Sequence, residues 1–173
     1  MTSNDLASLV RNIPDFPQPG IQFKDITTLI GNGPAFNQVI STMVERYRNA
    51  GIEAVAGVES RGFIFSAPIA LQLGVGLVPV RKPGKLPADT YQIEYELEYG
   101  SNKLEIHRDA LTPGARVLLV DDLLATGGTI LAASQLIERA GGSVAELAFV
   151  IELTFLGGRE KLAGYPVFSV IQY

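Results

Sequence analysis

The sequence predicts an α/β fold, a mainly parallel twisted sheet flanked by helices. Three observations carry this. Short apolar runs at AVAGV (54–58), LVPV (77–80), VLLVD (117–121), VAELAFVIEL (144–153) and VFSVIQY (167–173) read as strands buried on both faces. Helical patterns separate several of these runs, as a sheet covered by helices requires. The chain has 173 residues, 47% hydrophobic and 18% charged, which suits one domain (1–173) burying roughly 70% of its unfolded surface.

The elements follow in order. Thr2-Ser3-Asn4-Asp5 offers N-cap side chains for a short helix through Val10. The stretch IPDFPQPGIQFKDIT (13–27) carries three prolines and predicts an irregular, fixed path. Residues 1–33 thus form an N-terminal helix and a hood segment. A helix over 34–49 starts with Pro34 and sets Phe36, Val39, Ile40, Met43, Val44 and Tyr47 at helical spacing. After the strand 54–58 comes ESRG, then a helix in GFIFSAPIALQLG. After 77–80 comes the polar loop RKPGKLPADT. YQIEYELEYGSNKLEIHRD (91–109) alternates about a Gly-Ser-Asn turn and predicts an antiparallel hairpin. Its polarity suits a flap, and the pattern equally suits a solvated edge hairpin. Strand 117–121 leads to TGGTILAASQLIERAGG, a helix with Ile130, Ala133, Ile137 and Ala140 on one face and Gly141-Gly142 at its end.

Composition narrows the function. The formal net charge is -4 and the pI about 5.0, opposite to the basic footprint of nucleic-acid binding. The chain has no cysteine, which excludes disulfides and thiolate chemistry. The N-terminus has no basic stretch before an apolar run, and no run reaches the ~18 residues of a membrane span. The expectation is a cytoplasmic protein with neither membrane nor nucleic acid as partner.

The chemistry concentrates at VLLVDDLLATGGT (117–129). Two adjacent carboxylates at the end of an apolar strand repel each other and resist burial. They precede a Thr-Gly-Gly-Thr turn that opens a helix. A helix start has free N–H groups and a positive dipole end, glycines permit close backbone approach, and threonine hydroxyls donate, so Ala125, Thr126, Gly127, Gly128 and Thr129 suit a phosphate. Asp121 and Asp122 at the same rim can accept from vicinal sugar hydroxyls or hold Mg²⁺. Phosphate beside sugar hydroxyls is a ribose phosphate. The plainer alternative is a helix capped by Asp122 or Thr126. A nucleoside-triphosphate P-loop needs G-x-x-x-x-G-K-[ST], and Gly84-Lys85 is followed by Leu86. Neither Gly31-Asn32-Gly33 nor Gly74-Val75-Gly76 completes GxGxxG.

Residues 117–129 resemble the phosphoribosyl-pyrophosphate motif of type I phosphoribosyltransferases, and the wording DDLLATGGT resembles the adenine-using branch of that family. FPQPGIQFKDIT resembles its purine-side segment, VESRGFIF its pyrophosphate loop, RKPGKLP its basic loop and LEYG its catalytic flap. The likeness runs from about residue 13 to Tyr173 in family order.

The resemblance implies the type I phosphoribosyltransferase fold. It implies transfer of a phosphoribosyl group from phosphoribosyl pyrophosphate to adenine, giving AMP and pyrophosphate, with Mg²⁺ carried mainly by the substrate. It assigns Arg61 to the pyrophosphate loop, with Ser60 and Gly62 letting that loop pass close to the ligand. Arg81, Lys82 and Lys85 become pyrophosphate-binding cations, although RKPGK alone reads as a solvated turn. Lys85 would lie near a neighbouring subunit's site, which implies a homodimer. Asp121 and Asp122 would meet the ribose hydroxyls directly or through the metal, and 125–129 would wrap the 5-phosphate. Glu98 becomes the acid/base beside adenine and Tyr99 packs over the site; pattern alone does not choose among Glu94, Glu96 and Glu98. Adenine would meet the backbone at Gln22 and Lys24, beside Phe23. Gln22 stands where the branch commonly has an aliphatic residue, and Lys24 where it has arginine. His107 reads as a solvated flap histidine. Two alternatives remain: the same reaction with xanthine, guanine or hypoxanthine, and a non-catalytic ribose-phosphate sensor. A sensor that binds nucleic acid needs a further basic module, for which the chain has no residues to spare.

Overall fold

The structure, a computed structural model, describes residues 1–96 and 100–173. Helix α1 (Ser3–Ser8) starts at a capping box, in which the Thr2 hydroxyl accepts from Asp5 N–H and the Asp5 carboxylate accepts from Thr2 N–H. Strands β1 (Arg11–Pro14) and β2 (Gln22–Asp25) pair antiparallel, followed by the single-turn α2 (Thr27–Ile30) and the long α3 (Gly33–Tyr47). The segment expected to be irregular is therefore a two-stranded ribbon. Its prolines do not prevent this, because Pro14 closes β1 and Pro17 and Pro19 lie in the connecting turn. There the Asp15 carboxylate accepts from Gly20 N–H at 2.8 Å.

The chain continues through β3 (Ala54–Val58), α4 (Arg61–Leu73), β4 (Gly76–Val80), the pair β5 (Thr90–Glu96) and β6 (Ser101–His107), β7 (Arg116–Leu124), α5 (Gly128–Arg139) and β8 (Ser143–Glu152). It ends with a 3-10 turn at Thr154–Leu156, the short α6 (Gly158–Lys161) and β9 (Val167–Gln172). Five strands form the central sheet in the order β4-β3-β7-β8-β9, and every neighbouring pair is parallel. β5 and β6 form the expected separate antiparallel hairpin.

The core is two layers on the two faces of this sheet. On one face Val55, Leu118, Val120, Ala148 and Val150 pack under α1, α3 and α4, with Met43, Phe65 and Ile69 filling the space. On the other Ala54, Ala56, Val117, Leu119, Leu147 and Phe149 pack under α5, with Ile130, Ala133 and Ile137. Neighbouring residues of one strand thus serve opposite cores, which explains apolar runs without alternation. Leu104 and Ile106 of the hairpin are buried in the second layer. The hairpin is therefore not a solvated edge: its base belongs to the core. Among the described residues no helix is long and apolar enough to cross a membrane.

Two boundaries matter for the site. β7 runs on to Leu124 rather than ending at Asp121, because β8 continues beside it and pairs Glu152 with Leu124. α5 starts at Gly128, and its N-cap is Gly127, with φ at 86°. Only glycine takes this conformation without strain, so neither Asp122 nor Thr126 caps the helix.

Leu119 lies fully buried in the middle of the central strand. Leu119→Ala is expected to cost about 3 kcal/mol, read as a lower urea midpoint with unchanged slope.

Candidate active site

The carboxyl ends of β3 and β7 and the start of α5 enclose a cleft of about 280 Å³. Its walls bring together Ser60, Arg61, Lys82, Asp121, Asp122 and the whole run Ala125–Thr129. These come from three separate parts of the chain, and with Arg81 and Lys85, which lie outside the cleft, they make up the set expected to bind phosphoribosyl and pyrophosphate groups. This is where ligands bind in parallel α/β sheets.

The acidic pair is held tightly. The Asp122 N–H donates to the Asp121 carboxylate at 2.9 Å. Arg61 Nε lies 2.9 Å from Asp122 Oδ2, with the Asp122 side chain 8% exposed and Arg61 42%. Gly62 makes the approach possible, since a Cβ there would lie 2.9 Å from Asp121 Oδ1 and 3.1 Å from the Val120 carbonyl. Burial pushes the Asp121 carboxyl well above the ordinary aspartate range, and the adjacent Asp122 charge adds to this, against the Asp122 N–H bond and Arg61. Burial also raises Asp122, with Arg61 opposing. The pair therefore holds its proton more readily than exposed aspartates, and a cationic ligand would favour the ionised form.

At the other end of the cleft, Gly127 has no side chain to cap α5, so the helix start that lines the cleft has first-turn N–H groups without intrahelical acceptors. The hairpin leans over this loop. Thr129 Oγ1 donates to Tyr95 Oη at 3.2 Å, and Arg139 Nη1 donates to the Gln92 carbonyl at 3.1 Å. Glu98 and Tyr99, expected to be the catalytic pair on this hairpin, lie outside the described residues.

Beside the cleft lies a second, mainly apolar pocket of about 410 Å³, lined by Ile13, Phe16, Phe23, Asp25, Ile26, Thr27 and Arg61. Arg61 borders both cavities, and its guanidinium carbon is 5.6 Å from the Phe23 ring centre. Of the residues assigned to adenine, Phe23 lines this pocket. Gln22 instead accepts from Asn12 Nδ2 at 2.7 Å, and Lys24 Nζ sits 3.8 Å from the centre of the Tyr173 ring. Both side chains point to structural partners, which leaves only their backbone for a base.

Two of the basic residues are turned elsewhere. Arg81 Nε binds Glu59 at 2.6 Å and Arg81 Nη1 reaches the Lys85 carbonyl at 3.4 Å; neither Arg81 nor Lys85 lines the cleft. Arg81 thus braces the loop between β3 and α4 through Glu59. His107 Nε2 accepts from Ala88 N–H at 3.3 Å, so it holds the loop rather than standing in solvent.

The sequence reading missed Glu105. This hairpin residue is 9% exposed. Its backbone exchanges two hydrogen bonds with Arg81, at 3.0 and 2.7 Å, and its carboxylate accepts from Gly84 N–H and Gln92 Nε2. It ties the basic loop to the hairpin. Alternation gave no signal for it, because Glu105 falls between Leu104 and Ile106 on the polar side of the strand. Phe16 and Ile13 were missed as pocket walls because spacing does not show that β1 folds back on β2.

Residues 27–167 match the phosphoribosyl transferase domain family, and the chain belongs to that family. Within it the chain is 76% identical to the adenine phosphoribosyltransferase of Chloroflexus aurantiacus over 173 residues, all of both chains, and 66% identical to that of Roseiflexus over the same span. Among solved structures, the adenine phosphoribosyltransferase of Thermoanaerobacter pseudethanolicus superposes with a TM-score of 0.96 at 52% identity, covering 99% of this chain and 100% of that one. The Giardia lamblia enzyme, solved with 9-deazaadenine, gives 0.94 at 40% identity, over 100% of this chain and 98% of that one.

Burying a carboxylate next to another weakens the fold when no ligand compensates it. The weakening is absent below the ordinary aspartate value of about 3.9 and complete above the raised value of Asp121. Asp121→Asn keeps the acceptor for the Asp122 N–H and removes the charge. It is expected to raise the Tm of the ligand-free protein by about 3 °C at pH 8, with no gain at acid pH. A lower Tm at both pH values contradicts this.

Proposed function

We propose that the protein transfers the phosphoribosyl group of phosphoribosyl pyrophosphate to adenine, giving AMP and pyrophosphate in purine salvage. The observation that carries this reading is the junction at Arg61 of a polar cleft and an apolar pocket. A ribose phosphate fits the first, a flat purine fits the second, and the bond to be made lies between them. The full-length likeness to adenine phosphoribosyltransferases supports adenine as the base.

The chemistry follows from this arrangement. In the phosphate loop, 125–129 hold the 5-phosphate by backbone N–H groups and the Thr126 and Thr129 hydroxyls. Asp121 and Asp122 accept from the ribose hydroxyls and oppose the positive charge that develops on the sugar as the bond to pyrophosphate breaks. As pyrophosphate leaves, Arg61 exchanges its hold on Asp122 for phosphate oxygens, which its planar fork suits. Lys82 adds a second cation from the cleft wall. Arg81 supports Glu59 and the loop, and Lys85 serves a neighbouring site. The attacking purine nitrogen bonds to the sugar carbon and loses its proton to Glu98, the acid/base role that the family resemblance gives this residue. Phe23 and Phe16, whose rings meet edge to face at 5.1 Å, wall the base pocket, and the backbone at Gln22 and Lys24 reads the base edge.

Mg²⁺ fits this donor set only with the substrate's help. Among the described residues no three His, Cys, Asp or Glu side chains gather around one point. Asp121 and Asp122 supply at most two of the oxygens that octahedral Mg²⁺ requires, and phosphate, hydroxyl and water oxygens supply the rest. The ion, when bound, neutralises charge on the leaving pyrophosphate.

We also infer a cytoplasmic homodimer. Ile64 and Leu71 on α4 and Leu77 on the edge strand β4 are exposed, Leu71 at 81%. β4 leads directly into the loop that carries Lys85. Leu71→Glu is expected to shift the protein from dimer to monomer in light scattering, and an unchanged dimer overturns this interface.

The decisive test is AMP formation from adenine, phosphoribosyl pyrophosphate and Mg²⁺, with hypoxanthine, guanine and xanthine as competitors. Preferred turnover of another purine overturns adenine. Glu98→Gln is expected to lower kcat by about 100-fold with little change in KM; a change confined to KM makes Glu98 a binding residue instead.

A further inference from the structure

The back of the phosphate loop rests on a part of the chain to which the function assigns nothing. Gly158, the first residue of α6, is buried against it. A methyl group at Gly158 would run into the Ala125 carbonyl oxygen and lie 2.9 Å from Leu124 Cδ1. One at Gly127 would lie 2.9 Å from the Gly158 carbonyl and 3.5 Å from Leu162 Cγ. The two backbones therefore touch, and the loop cannot take its shape unless residues 158–162 stay in place.

What holds 158–162 is the next side chain, Arg159. Its guanidinium forms a fork on Glu152, Nε to Oε1 at 2.6 Å and Nη2 to Oε2 at 2.7 Å, and Nη1 donates to the Val167 carbonyl at 2.9 Å. Glu152 is 2% exposed. It is the last residue of β8, paired in register with Leu124 on one side and Gln172 on the other. Ser169 Oγ donates to it at 2.5 Å and Gln172 Nε2 at 3.3 Å. Burial works against its charge, but Arg159, Ser169 and Gln172 together hold its carboxyl below the ordinary glutamate value. A buried carboxylate so fully satisfied is a rigid anchor, and it sits beside the strand residue that leads into the phosphate loop.

We propose that Glu152 and Arg159 are positioning residues for the 5-phosphate: the fork fixes α6, and α6 fixes the curvature of Ala125–Thr129. The proposal rests on reading 125–129 as the phosphate site, and the test separates the two. The probe is ribose 5-phosphate, measured by calorimetry, alongside KM for each substrate and Tm. Arg159→Met keeps the stem and removes the fork. The control is Arg46→Met, which removes a similar fork on Glu146, 3.0 and 2.8 Å, in the first half of the same strand.

The wild-type protein binds ribose 5-phosphate if 125–129 is the phosphate site; if it does not, that reading fails before the brace is tested. Given wild-type binding, Arg159→Met is expected to weaken ribose 5-phosphate by about 10-fold and to raise KM for phosphoribosyl pyrophosphate alike, with KM for adenine unchanged. Arg46→Met is expected to lower Tm without this split. Arg159→Lys, with charge but no fork, falls between and decides the matter should Arg159→Met not fold. Wild-type affinity for ribose 5-phosphate in the Arg159 variants, or a parallel rise in both KM values, overturns the proposal.

Discussion

Two carboxylates in consecutive positions, within the central strand of the sheet and just beyond its fully buried run, govern the layout of this molecule. Asp121 and Asp122 are tolerable there only with partners: a backbone N–H at 2.9 Å and one guanidinium at 2.9 Å. Each partner imposes a requirement. Arg61 must start α4 where the helix meets β7, and Gly62 must follow it so that the helix can approach Asp121. The strand itself must run past the pair to Leu124 so that the phosphate loop turns back over the same space. The central sheet and its two apolar layers set these elements at the needed distances. The fold thereby carries a local electrostatic cost at the mouth of the cleft, as binding sites commonly do.

Around that centre the cleft is assembled with many supports. Arg81 holds Glu59, Glu105 holds the basic loop to the hairpin, and Arg159 pairs with Glu152 at the end of β8. Lys24 rests on Tyr173, whose hydroxyl in turn donates to the Ala7 carbonyl, so the hood is tied to α1 and to the last strand. Precise placement of a ligand needs such second contacts, because an ångström of slack at a phosphate is enough to lose most of the gain from orientation. Several charged side chains in this chain are therefore better understood by what they hold than by what they could bind.

Much of this was legible in the sequence. The parallel sheet followed from apolar runs without alternation, and the hairpin from alternation about Gly100. The phosphate loop and acidic pair could be reached from helix-end electrostatics and glycine chemistry alone, since those depend on neighbours along the chain. The base and the pyrophosphate came from resemblance. Where local reasoning erred, a distant partner had intervened: β2 made a ribbon of a proline-rich segment, and β8 carried β7 beyond Asp121.

By itself, then, the sequence determined the five strands of the central sheet, the helix after the Thr-Gly-Gly-Thr turn and the chemical character of the cleft, because hydrophobic periodicity, backbone freedom and charge are properties of adjacent residues. Only the tertiary structure decided which cations line the cleft. It gave Arg61 to the acidic pair and Arg81 to Glu59, set Phe16 against Phe23, and put a buried Glu152–Arg159 fork behind the phosphate loop. Those are contacts between residues far apart in the chain, and their pairing is set by how the sheet stacks its strands, which no single stretch of sequence contains.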